Sequence, residues 1–152
     1  LSSKRALYMD ENNPFLRAIA AYAEAVLAKD VDAFTAIYDE DVHVFDMWGA
    51  WSLSELTAWR DMATDWFSSL GDDRVIVTCD NENSTVSKDL AFGYAILTYT
   101  AIAPDGTKLR SLSNRTTMAL HNRSGSWKVF HEHTSAPIDH QSQQAILRRS
   151  DD

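Results

Sequence analysis

NRTTMALHNRSGSWKVFHEHTSAP, residues 114–137, consists of two runs of alternating, strand-prone residues around Asn122-Arg123-Ser124-Gly125. A type I turn closed by a left-handed glycine suits that centre, and it predicts a three-residue hairpin loop, Arg123 to Gly125, with a bulge. Asn122 then faces Ser126, Thr116 faces Glu132, Met118 faces Phe130 and Arg115 faces His133. Directly opposed residues share a face of the sheet. One face therefore carries Thr116, Met118, Phe130, Glu132 and Thr134. The other carries Arg115, Thr117, Trp127, Val129, His131 and His133. Apolar and ionisable groups on both faces predict a central pair of strands, with a pocket on one side and a packed partner on the other. A one-residue slip would exchange the two sets.

Working outward, apolar residues recur at helical spacing from Pro14 through Phe15, Ile19, Tyr22 and Val26, and Pro14 suits a first turn. Asp30 is placed to cap a short second helix with Phe34, Ile37 and Tyr38 inward. A strand follows with Val42, Val44 and Asp46 on one face, so an aspartate continues a core-directed valine row. Ser52-Leu53-Ser54-Glu55 has the pattern of a capping box opening a third helix that ends at Gly71. Strand-like segments come next over 74–86 (with a break), 91–102, 108–121 and 126–136, with Pro104-Asp105-Gly106 as a turn. The strands are joined by turns rather than helices. This predicts an α+β fold with a curved, mostly antiparallel sheet wrapped around a long N-terminal helix. Residues 1–13 read as a lead-in, 14–137 as one domain, and 138–152 as a polar tail with one short helix and no assigned function.

A chain of 152 residues, 45% apolar and 24% charged, suffices for one domain with a real core. A formal charge of −8, with no basic cluster, argues against nucleic acid as a partner. The single cysteine, Cys79, rules out an internal disulfide and fits a reducing compartment. No apolar run reaches the length of a membrane span, and LSSKRALYMDENN lacks the apolar core of a secretory signal. The expectation is a cytoplasmic protein with neither a membrane nor a nucleic acid among its partners.

YDEDVHVFD, ending at Asp46, and the closing SGSWKVFHEHTSAP resemble sequences of the nuclear-transport-factor-2-like superfamily, in its SnoaL-like and ketosteroid-isomerase-like branch. The resemblance spans about Phe15 to Pro137 and implies a cone-shaped α+β fold. It places Asp46 where ketosteroid isomerases keep their general base, and Tyr22 where they keep an oxyanion-donating tyrosine. Their second donor, a protonated aspartate, corresponds to Thr116. The pocket arginines of the calcium/calmodulin-dependent kinase II association domain correspond to Ile96, Met118 and Thr134. Neither site is complete. The superfamily holds isomerases, cyclases, dehydratases and plain binding modules, so function does not follow from membership.

Each candidate has two readings. Asp46 either caps a turn or is a base whose pKa is raised in an apolar cone. Tyr22 is either core or a phenol aimed at a forming oxyanion. Glu132, inward on the hairpin, is paired, protonated or functional, because a lone buried glutamate is rare. Trp48, Trp59, Met62, Trp66, Tyr94, Thr116, Met118 and Phe130 are the expected wall of a site for a small hydrophobic molecule. His131 and His133 share a face but read as structural or interfacial groups, so no metal is expected. The expected activity is cofactor-independent proton transfer on a small hydrophobic carbonyl compound, of isomerase, cyclase or dehydratase type. Asp46 would move the proton, with Tyr22 and neutral Glu132 on the enolate oxygen. A non-catalytic ligand-binding or oligomerisation module is the alternative. The second hairpin face, uncovered by any helix, predicts a homodimer through the outer sheet face that weakens as pH falls through about 6.

Overall fold

The structure, a computed structural model, describes residues 12–150. The expected lead-in over 1–13 lies, apart from Asn12 and Asn13, outside the described residues. Helix α1 (Pro14–Ala28) starts with Pro14 in its first turn, and the Asn13 side chain accepts from the Leu16 N–H. It ends at Lys29 in the left-handed region, whose N–H meets the Ala25 and Val26 carbonyls. Asn13 also donates to Ser84, tying the helix start to the sheet. Asp30 caps α2 (Val31–Thr35) through the Ala33 N–H. After α2 come β1 (Tyr38–Phe45), β2 (Leu53–Ser54), α3 (Leu56–Ser69), β3 (Arg74–Val86), β4 (Leu90–Ile102), β5 (Lys108–Arg123) and β6 (Ser126–Ser135).

The six strands form one sheet in the order β2-β1-β6-β5-β4-β3, antiparallel except where β1 runs parallel to β6. This is the α+β architecture expected. The helices pack on the concave side, where Phe34 is surrounded by the rings of Tyr22, Tyr38, Trp59 and Phe67 at centroid distances of 5.4–5.8 Å. Such tilted and edge-on pairs add to the area these rings bury. Helix α1 lies so close to β4 that a Cβ built on Gly93 would sit 2.2 Å from Cγ of Phe15, a fully buried ring. Only glycine permits that approach. No helix of the described residues is long and apolar enough to cross a membrane.

Three local expectations are corrected. The hairpin loop has two residues, not three: Arg123 pairs with Ser126, while Ser124 and Gly125 take positive φ of 56° and 83°. That is the primed turn, whose twist matches the strands. A bulge then falls between Ala119/His131 and Leu120/Val129, leaving Phe130 unpaired. The true partners are therefore Thr116 with Thr134, Met118 with Glu132 and Arg115 with Ser135. The shorter loop alone would have turned Glu132 outward, and the bulge turns it back. Glu132 and Thr134 are thus buried, but Val129 and Phe130 exchange faces. Val129 is fully buried, Trp127 packs against the core, and Phe130 lies against the His121 ring.

The expected capping box at Ser52–Glu55 does not form. Leu53 and Ser54 pair with Val44 and His43 instead, supplying partners to the otherwise open edge of β1. Glu55 caps α3 at φ 74° with no side-chain bond. The tail forms no helix within the described residues. It makes one bridge, Ile138 with Ala145, and runs back along β5, where the Ser113 N–H donates to the Leu147 carbonyl.

Candidate functional site

Between α1, α3 and the concave sheet lies a cavity of about 560 Å³, within the range of small-molecule sites. Tyr22, Asp46 and Glu132 all line it, as do Trp48, Trp59, Met62 and Trp66. The other four expected wall residues do not. Thr116 and Met118 are buried beneath the cavity within the sheet and core, Tyr94 stands exposed beside Phe92, and Phe130 is turned out by the bulge. Tyr94 and Phe130 are corrections of strand parity, whereas Thr116 and Met118 have the right face but the wrong depth.

Asp46 follows directly on β1 and continues the inward row of Val42 and Val44, both fully buried. Phe45 pairs with His133, which brings Asp46 beside Thr134. The Thr134 hydroxyl donates to Asp46 Oδ1 at 2.9 Å and accepts from the Met47 N–H at 2.9 Å. Burial raises the Asp46 pKa, while the hydrogen bonds from Thr134 and the Met47 N–H oppose the rise by favouring the carboxylate.

Glu132, 2% exposed, has one anchor. Tyr38, fixed at the start of β1, donates to its Oε1 at 2.8 Å. Burial pushes Glu132 up to about 8, with the Tyr38 bond opposing and the charge of Asp46 adding. It is therefore mainly protonated at neutral pH, accepting from Tyr38 and keeping a proton to donate. Tyr22 and Tyr99 join hydroxyl to hydroxyl at 2.9 Å. Whichever donates, one proton of the pair stays available. Burial raises both phenol pKa values, so both remain neutral donors. The indole N–H of buried Trp59 has no hydrogen-bond partner, although it lies near enough to Tyr38 to ease that phenol's ionisation.

Several lining residues fall outside the sequence-based expectation. Tyr99 could have been found, since it continues the inward row of Ala95 and Leu97 on β4. Tyr38 reads in sequence only as an apolar residue of the second helix. Leu147 and Arg148 of the tail carry no periodic signal at all. Among the described residues no three His, Cys, Asp or Glu side chains gather as a metal-ligand set. His131 and His133 instead stack edge-on against Phe45 on the outer face, with His131 Nδ1 bonded to the His43 carbonyl.

A curved sheet closed by helices over an aromatic cavity with carboxyls at its floor defines a cone-shaped α+β pocket protein. The chain belongs to the SnoaL-like domain family, which matches residues 16–139, within the nuclear-transport-factor-2-like superfamily. Three solved structures share its fold at low identity. An NTF2-like protein of unknown function from Pseudomonas putida is 21% identical, with a TM-score of 0.78 over 90% of this chain and 93% of that one. Aln2 from a Streptomyces species is 13% identical, with a TM-score of 0.70 over 86% and 90%. An uncharacterised protein with a cystatin-like fold from Caulobacter vibrioides is 17% identical, with a TM-score of 0.65 over 91% and 89%. No curated protein matches this sequence.

Proposed function

We propose that the protein is a cofactor-independent proton-transfer enzyme acting on a small hydrophobic carbonyl compound, by isomerase, cyclase or dehydratase chemistry. The observation that carries this reading is a pair of carboxyls in one cavity, one fully buried and the other part-exposed. Burial raises both pKa values, but Glu132 is fully buried and pushed to about 8, whereas Asp46 is only part-buried and its bonds from Thr134 and the Met47 N–H oppose the rise by favouring its charged form. Environments that split two carboxyls in this way supply a base and an acid at one pH. Asp46 would take a proton from the carbon next to the carbonyl. Neutral Glu132, with the free proton of the Tyr22–Tyr99 pair, would hold the developing enolate oxygen. The aromatic walls from α3 exclude water from that charge.

The test uses 2-tetralone, a bicyclic ketone with acidic α-protons, in D2O with NMR detection. Exchange faster than in buffer is expected, and Asp46→Asn should lower it by about 10²–10⁴-fold. Exchange at the buffer rate, or an unchanged Asp46→Asn variant, would contradict the reading and favour a non-catalytic binding module.

The outer sheet face supports a second part of the reading, a homodimer. Phe45, Phe92 and Tyr94 are each 41–49% exposed there, and no helix among the described residues covers them. Two copies meeting through this face would bury these three aromatic rings about a two-fold axis. A monomer by light scattering at micromolar concentration would contradict it.

A further inference from the structure

Two arginines line the cavity with no ion pair among the described residues. Arg110 stands on β5 opposite Ala101, a buried residue of the same cavity wall. Arg148 comes from the tail, and its neighbour Leu147 is bonded through its carbonyl to the Ser113 N–H at 2.8 Å. That bond sets Leu147 and Arg148 beside the stretch of β5 that carries Arg110 and Leu112, and all four line the same cavity. The tail is then locked from the other side of the sheet, where Arg149 forks onto Asp80 at 3.0 and 2.7 Å.

The chain has 22 acidic residues against 14 Lys and Arg, so carboxylate partners are plentiful, yet among the described residues none meets these two cations. Both residues put positive charge on the wall of one cavity, and an anion bound there is attracted by both. The cavity lining is thus polarised, with Glu132 and Tyr22 buried, Asp46 and Tyr99 part-buried, and Arg110 and Arg148 exposed. A carboxylate is a planar anion that a guanidinium fork binds at two points, and one compatible with an otherwise apolar ligand for the aromatic walls.

We infer that the ligand is a hydrophobic acid, bound with its carboxylate held by Arg110 and Arg148 while its other end reaches Asp46 and Glu132. This rests on reading the cavity as a small-molecule site, and it adds the charge and orientation of the molecule.

The experiment is calorimetric titration of the full chain with 1-naphthaleneacetate and with its methyl ester, a pair differing in the anionic charge. The acid should bind about tenfold tighter than the ester, and added salt should weaken only the acid. Arg110→Met and Arg148→Met should each lower acid affinity about tenfold and leave the ester unchanged. Asp80→Asn, which releases the Arg149 anchor without altering the cavity wall, should cost the acid several-fold for the same reason. Equal binding of acid and ester, or full acid affinity in both arginine variants, would overturn the inference while leaving the cavity as a ligand site. If neither compound binds, the small-molecule reading fails and this inference with it.

Discussion

The floor of the cavity and its mouth are held by different kinds of structure. At the floor, Tyr22 sits on α1, Tyr38 on β1, Tyr99 on β4 and Glu132 on β6, and each hydroxyl or carboxyl is fixed by a named partner. At the mouth, Trp48 is 54% exposed, and Arg148 hangs on an irregular tail that meets the sheet through the Ser113–Leu147 backbone bond and through Arg149, which bonds Asp80 and Thr98. Groups that must act on a reacting atom need fixed positions, and regular elements supply them. Groups that recognise the outer end of a ligand tolerate looser support. Under the proposed function, this contrast gives the chemistry to the floor and the selection of the ligand to the mouth.

The largest stability effect should come from the floor. Glu132 has a folded pKa of about 8 against a reference of 4.5. Between those values the unfolded chain loses the proton while the native state keeps it, so stability falls as pH rises through 4.5 to 8. Glu132→Gln retains an acceptor for Tyr38 and should stabilise the protein at neutral pH by roughly 3 kcal/mol, flattening that slope. Urea melts at pH 5 and pH 8 check it. Equal slopes in both proteins would mean that Glu132 is not held neutral.

Gly93→Ala comes next. It forces a methyl against the Phe15 ring and should cost about 1–3 kcal/mol by displacing α1 from the sheet. Thermal unfolding measures this, and an unshifted midpoint would show the helix free to move. The smallest effect belongs to the mouth. Arg149→Ala removes a half-exposed ion pair and should cost about 1 kcal/mol or less. A loss as large as that of Gly93→Ala would make the tail part of the core and erase the contrast.

Much of the fold is legible because periodicity carries it. The stripe Phe15, Ile19, Tyr22, Val26 marks α1, and the row Val42, Val44, Asp46 places a carboxylate inside. Glu132 reads as inward from a loop one residue too long, and the bulge at Phe130 restores its face. A bulge has no compositional mark here, so Val129 and Phe130 are exchanged. Ser52-Leu53-Ser54-Glu55 looks like a capping box because the serine-to-glutamate spacing is all that such a box displays in sequence. The capping-box reading fails because the edge of β1 needs partners, a demand that local sequence does not display. The mouth stays invisible for the same reason. In IDHQSQQAILRRSDD the expected short helix does not form within the described residues, and the course of the tail is set by the stretch of β5 that β6 leaves bare and by Asp80 across the sheet.

The central claim is that Glu132 carries a proton in the cavity at neutral pH. Carbon-13 NMR of protein labelled at glutamate carboxyls, titrated from pH 4 to 10, tests it most directly. One resonance should titrate near pH 8 and be missing from the Glu132→Gln variant. If every glutamate carboxyl titrates below about pH 5, as solvated ones do, the neutral acid at the cavity floor does not exist and the proposed mechanism fails with it.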